Sequence, residues 1–292
     1  MVDVLVFSGD LVQSGSDLKH FEKAYDATIG PVAKILKIPK ERIFICAGNH
    51  DIDRQQIIDF MEAGLKSTLN STAATNKFID KLEKGDPSSK SAFERLKNYN
   101  TFMRTRIHKP PNIYNQPMLQ AFKFNHSGIE VGLSIFNTSW RCTGQPNDAD
   151  RNFLIIGERT VDNALQLLDN CKLKIAIFHH PTDWISDFDQ SSILARLYSG
   201  FDLIMHGHIH KPLPEQRFNT SGTALISQVG CLYNSREFPN SYQIITLDLD
   251  EERAKFQIRT FFDNPRREFD AAVNIAADGV FQCDMQLQKK VM

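Results

Sequence analysis

The sequence predicts an α/β fold, and three observations carry that prediction. Short apolar runs of strand length each end in a polar turn, as Val2 to Phe7 does at Ser8-Gly9-Asp10. A helix-length segment lies between the first two such runs, the pattern of a strand-helix-strand unit. Near the carboxyl end, Tyr242-Gln243-Ile244-Ile245-Thr246-Leu247 alternates as antiparallel strands do. At 292 residues, with 41% hydrophobic and 24% charged residues, the chain has the length and composition of a globular protein with a full core.

Val2 to Phe7 reads as a buried strand. Asp17 to Lys37 follows with Leu18, Phe21, Tyr25, Val32 and Leu36 at helical spacing, and Gly30-Pro31 is expected to kink it. Lys40 to Cys46 supplies a second strand that ends in Ala47-Gly48-Asn49-His50-Asp51. The two strands should be parallel neighbours, which places Asp10 and Asn49 on one edge although they are distant in sequence. From about 54 to 114 the pattern becomes helical, with interruptions at Ser67 to Asn76 and Gly85 to Ser89, and is expected to form an insertion closed by His108-Lys109-Pro110-Pro111. Strand patterns return at Gln120 to Phe124 and Ile129 to Asn137. Leu165 to Leu168 lies in an expected helix, Leu173 to Phe178 is a strand ending in His179-His180-Pro181, and Asp202 to Met205 leads into His206-Gly207-His208-Ile209-His210. The segment from about 224 to 262 is expected to be antiparallel strands within a single domain.

Several functional classes are disfavoured at once. No apolar run approaches the roughly 20 residues of a membrane span. A net charge of -1 leaves no global electrostatic footprint for nucleic acid or an anionic membrane. The five cysteines include no C-x-x-C pair, so neither a zinc knuckle nor a disulfide framework is expected, and a reduced cytoplasmic setting is. The start of the chain has no basic n-region of a signal peptide.

Four apolar strands end in residues that can bind a divalent metal. Asp10 offers a carboxylate able to bridge two cations, Asn49 a neutral carbonyl, and His179, His208 and His210 offer imidazoles. Mixed oxygen and nitrogen donors suit manganese, iron or zinc rather than calcium. Glycines beside the donors (Gly9, Gly48, Gly207) permit the turns by which they could converge.

Taken in order, Gly9-Asp10, Gly48-Asn49-His50-Asp51, His179-His180-Pro181 and Gly207-His208-Ile209-His210 resemble the motif series of the calcineurin-like metallophosphoesterases, over about Val2 to His210. The resemblance implies two mixed β-sheets packed as a sandwich flanked by helices. It implies one complete metal site of Asp10, Asn49, His179 and His208, with His210 joining Asp10 at the other metal. By the same resemblance His50 sits near the substrate phosphate, with Asp51 placed to orient it. The family also places an Asp-x-His pair on a strand ahead of the Gly-Asp strand, and no such pair precedes Asp10 here. The expectation is therefore one complete and one partial site, in a chain whose start is truncated or mis-assigned or which is a one-metal variant.

Between Arg54 and Lys123 there are twelve Lys/Arg against six Asp/Glu. This reads as solvated helix faces or as a cap attracting an anionic nucleotide or nucleic acid. Arg54, three residues after Asp51, is placed to reach a phosphate. His180 and His206 read as fold-supporting residues, and Trp140 as core. The expected function is metal-dependent hydrolysis of a phosphodiester or phosphomonoester; the rival is a non-catalytic binding or scaffold module that keeps the fold and one metal.

Overall fold

The computed structural model describes residues 2–107, 112–145, 148–220, 222–232, 238–264 and 267–287; the segment expected to close the insertion, His108 to Pro111, lies outside them. Strand β1 (Leu5–Phe7), helices α1 (Leu18–Ala27) and α2 (Ile29–Leu36), and strand β2 (Ile43–Ile45) form the expected unit, with Leu5 opposite Ile43 and Phe7 opposite Ile45 in parallel. The helical segment breaks at Thr28 (φ -127°, ψ -79°) and not at Pro31. Pro31 falls in the first turn of α2, where a backbone donor has no intrahelical partner, so proline disrupts nothing there.

Helices α3 (Asp59–Thr68), α4 (Thr72–Glu83), α5 (Pro87–Ser91) and α6 (Lys97–Arg106) follow. Ser71 and Asp86 start α4 and α5 by accepting hydrogen bonds from the amides of Ala74 and Ser89. The helices of the expected insertion pack into the core. Ile79, Leu82, Phe93, Tyr99 and Phe102 belong to the same buried cluster as Ile43 and Ile45 of β2. Tyr99 also donates its hydroxyl to the Ile45 carbonyl at 2.8 Å. Trp140 is wholly buried, stacked on Phe78 (5.4 Å) and Phe93 (5.1 Å), so these helices are a wall of the core.

Strands β3 (Asn112–Gln116), β4 (Leu119–His126) and β5 (Ile129–Phe136) precede helix α7 (Glu158–Leu167) and strand β6 (Leu173–Ile177). Helix α8 (Asp187–Gly200) then leads to β7 (Leu203–His206), β8 (Leu213–Asn219) and β9 (Gly222–Gln228). These strands make one seven-stranded sheet in the order β3-β4-β5-β6-β7-β9-β8, in which β5, β6, β7 and β9 are parallel neighbours. The segment from about 224 was expected to form antiparallel strands. Its first strand, β9, is mixed: it pairs parallel with β7, Leu203 opposite Leu225, and its run Ala224-Leu225-Ile226 is buried as befits an inner strand. On its other side β9 pairs antiparallel with β8, and β10 (Ser241–Asp248) and β11 (Arg253–Phe262) keep the antiparallel reading, joined by β12 (Glu268–Ala271) and β13 (Val280–Asp284).

Side chains alternate along the inner strands with the period of two that a strand imposes. Leu133, Ile135, Ile175, Ile177, Leu203 and Leu225 face one cluster shared with Phe44 of β2, Cys46 just after it, and Ala254 and Phe256 of β11. Phe136, Ala176, Phe178, Ile204 and Ile226 face the opposite way, into the cluster that contains the helices. The result is the α/β sandwich flanked by helices. Its second layer is in two pieces among the described residues, the pair β1-β2 and the four strands β10 to β13. There β1 is ladder-paired on one side only, and its residues are half-buried where those of β2 are buried. No helix of the described residues is long and apolar enough to cross a membrane.

Candidate metal centre

The carboxyl ends of β1, β2, β6 and β7 meet at one edge, and four donor atoms converge there. His179 Nε2 lies 3.1 Å from Asp10 Oδ2, 3.2 Å from Asn49 Oδ1 and 3.3 Å from His208 Nδ1. His208 Nδ1 lies 3.0 Å from Asn49 Oδ1. Ligands bound at roughly 2.1 Å around one ion are separated by roughly 3.0–3.4 Å, the spacing found here. The donor chemistry fits as well. His179 Nδ1 donates to the Ser8 carbonyl at 2.6 Å, so that Nε2 is the nitrogen turned towards the other three atoms and would offer its lone pair to an ion there. Burial, followed by His179, pushes His208 down to about 3, so its imidazole is neutral. Burial opposes the charge on Asp10, but His179 and His50 bring its carboxyl well below the usual range. Burial opposes the charge on His179, but Asp10 holds its imidazole above the usual range, so the two pair directly at 3.1 Å. A cation at the centre would take the place of that proton and draw all four lone pairs to itself.

The backbone is shaped for this convergence. Asp10, His208 and His210 adopt left-handed conformations (φ 58°, 71° and 59°), three of the nine non-glycine residues with positive φ among those described. Such backbone costs on the order of 1 kcal/mol per residue and concentrates at functional sites. Gly9 (φ 101°) leaves room for His179, because a Cβ there would stand 2.3 Å from Nδ1.

Asp51, wholly buried, binds the two ligand loops together. Its Oδ2 accepts from the amides of Asp10 (2.9 Å) and Gly48 (2.8 Å), and its Oδ1 from Val12 (3.1 Å). Burial and the Asp10 charge push its carboxyl up, and these amides act against them. Asp51→Asn replaces one acceptor oxygen by an NH2 that faces amide donors. We expect a loss of roughly 2–3 kcal/mol of stability, read by chemical denaturation with and without metal.

The described geometry is matched at the level of sequence. The family model for the calcineurin-like phosphoesterases matches residues 1–212. The chain belongs to that family. With this comes a metal-dependent phosphoesterase fold in general terms. A crystal structure of a hypothetical protein from Thermus thermophilus is similar at 10% identity and a TM-score of 0.29, over 57% of this chain. The match spans 62% of that protein's chain. No curated protein matches.

Within this calcineurin-like phosphoesterase the remaining candidates fall in different places. The His50 amide donates to Asp10 Oδ1 at 2.8 Å, and its ring Nδ1 lies 3.2 Å from the Gln13 carbonyl. Asp51 was expected to orient that ring; its oxygens are taken up by backbone amides instead, and Gln13 takes the orienting position. Arg54 is exposed and lies against the backbone of Gly144, where a Cβ would stand 2.5 Å from its Nε. The ring of His210 is edge-on to Phe238 at 5.2 Å. His180 lies close enough to His179 and His208 to share an ion by distance alone. Its nitrogens are engaged elsewhere, Nδ1 with Thr138 Oγ1 (2.8 Å) and Nε2 near Cys142 Sγ (3.6 Å), so it forms part of the wall. His206 is buried and stacked on Phe178 at 6.1 Å. Sequence reading missed Ser8, Gln13, Thr138 and Trp184. Thr138 follows β5, the parallel neighbour of β6, and that adjacency was the one signal for it.

Proposed function

We propose that this chain hydrolyses a phosphate ester, with manganese, iron or zinc held by Asp10, Asn49, His179 and His208. The observation that carries the reading is the convergence of four lone-pair donors at 3.0–3.3 Å on one sheet edge. An ion bound there would neutralise phosphoryl charge and make a coordinated water more acidic. Asp10 supplies the charged oxygen and, with His210 on the next loop, marks the side on which a second ion would lie. His50, with Nδ1 donating to Gln13, would turn Nε2 towards a substrate oxygen, to stabilise charge or deliver a proton to the leaving group. Arg54 is assigned to substrate phosphate.

The substrate class is a phosphodiester or phosphomonoester of nucleotide type: a cyclic nucleotide, a nucleotide or a nucleic acid end. The excess of basic residues between Arg54 and Lys123 supports an anionic substrate, although Arg95 is buried against Glu62 and Arg106 is paired with Asp26. The five cysteines are all free, which supports a reducing, cytoplasmic location. The test is turnover of a bis-aryl phosphodiester by manganese-loaded protein. His50→Ala should lower kcat by about 10²–10⁴-fold with metal content unchanged, measured by mass spectrometry. Equal activity in the variant would remove His50 from the mechanism. Metal uptake without any turnover would favour a binding or scaffold module.

A further inference from the structure

A metal-binding histidine is ordinarily aimed by a hydrogen bond to its second ring nitrogen. His179 follows that rule through Ser8. His208 does not: its hydrogen-bond contacts among the described residues all run through Nδ1, towards Asn49 and His179. Yet the ring must be held, because a flip about χ2 would put Cδ2 in the place of Nδ1, and a swing about χ1 with it would bring Nε2 to the other donors. Two aromatic neighbours occupy the space such a flip would need. Trp184 stands edge-to-face on His208, with centroids 4.1 Å apart and planes at 79°. His180 lies at 4.5 Å and 50°. Both are buried and anchored from outside the centre. Thr138 accepts from the His180 amide (3.3 Å) and contacts its Nδ1 (2.8 Å). The Trp184 carbonyl accepts from Leu154, whose neighbour across an isolated bridge is Ile185.

We infer that Trp184 and His180 are positioning residues that clamp the His208 ring sterically, so that it offers Nδ1 and not Nε2 to a metal ion. The clamp takes the place of the hydrogen bond that His208 lacks. The inference rests on the metal centre proposed above, and the experiment separates the two. Zinc is bound to the wild-type chain, to Trp184→Ala, to Trp184→Phe and to Thr138→Val. Affinity is measured by calorimetry, and the coordinating nitrogen by long-range 1H–15N NMR of His208.

The wild type should coordinate through Nδ1. Trp184→Ala should weaken zinc binding by about 10–100-fold and show Nε2 coordination or a mixture. Trp184→Phe keeps a ring edge on His208 and should restore Nδ1 coordination. Thr138→Val frees His180 without opening a cavity at the centre and should weaken zinc in the same direction, which keeps the test available if Trp184→Ala does not fold. Nδ1 coordination with wild-type affinity in both Trp184→Ala and Thr138→Val, or in Thr138→Val alone if Trp184→Ala does not fold, overturns the clamp and leaves the metal centre standing. Failure of the wild type to bind zinc overturns both.

Discussion

Asp10→Asn should abolish most of the stabilisation that a divalent metal confers. At a concentration 100 times the wild-type dissociation constant, metal raises stability by about 2.7 kcal/mol, because only the folded chain presents the site. If the substitution weakens binding about 100-fold, the gain at that concentration falls to about 0.4 kcal/mol. The size of the effect follows from what Asp10 contributes. Oδ2 is the only charged oxygen of the four converging donors, 3.1 Å from His179 Nε2. His179 and His50 keep it ionised against the opposing effect of burial. Asparagine preserves the shape, and its oxygen can still accept from the His50 amide at the Oδ1 position. What is lost is the charge. Thermal unfolding with added manganese and with chelator reads this directly, and a metal-induced shift equal to the wild type's would remove Asp10 from the centre.

Gly48→Ala should damage both the fold and the metal centre. A Cβ at Gly48 would stand 2.1 Å from Asp10 Oδ1 and 2.3 Å from the Asp10 amide nitrogen. The second contact is with backbone, so no rotamer change relieves it, and the β1 and β2 loops must separate. Overpacking of this kind costs about 1–3 kcal/mol. Here it also pulls Asn49 and Asp10 apart, so metal binding should be lost with it. Gly64→Ala provides the contrast. Gly64 lies inside α3 and a Cβ there meets nothing within 4 Å, so the same substitution should stabilise by about 0.5–1 kcal/mol. Denaturant midpoints for the two variants should therefore move in opposite directions. A Gly48→Ala protein that unfolds like the wild type and binds manganese would show that the loops are not in close contact.

The donor residues were legible in the sequence because each follows a strand, and strand ends carry a local signature. Val4 to Phe7 and Ile43 to Cys46 are apolar runs, and Leu173 to Phe178 is one but for Lys174. Each leads into a turn that carries a polar residue, and β1, β2 and β6 lie within them. The break at Thr28 was not legible, because Gly30-Pro31 is the stronger local signal and its position in the first turn of α2 makes it harmless. Strand β8 was missed because Leu213 to Asn219 is polar and carries Pro214. An edge position next to β9 alone tolerates such a strand. The parallel placement of β9 depends on which strand it meets, and no local pattern states that.

By itself the sequence determined the α/β class and the order of the strand-end motifs, which follow from periodicity and turn chemistry acting over a few residues. The choice of Asp10, Asn49, His179 and His208 as a ligand set came from the resemblance of those motifs to the family's. Only the tertiary structure decided that Asp51 serves backbone amides and not His50, that the helices after Arg54 are a wall of the core, and that Trp184 stands against His208. Each of these depends on contacts between segments dozens of residues apart. Such contacts are selected by the packing of whole layers against one another, and no short stretch of chain contains that information.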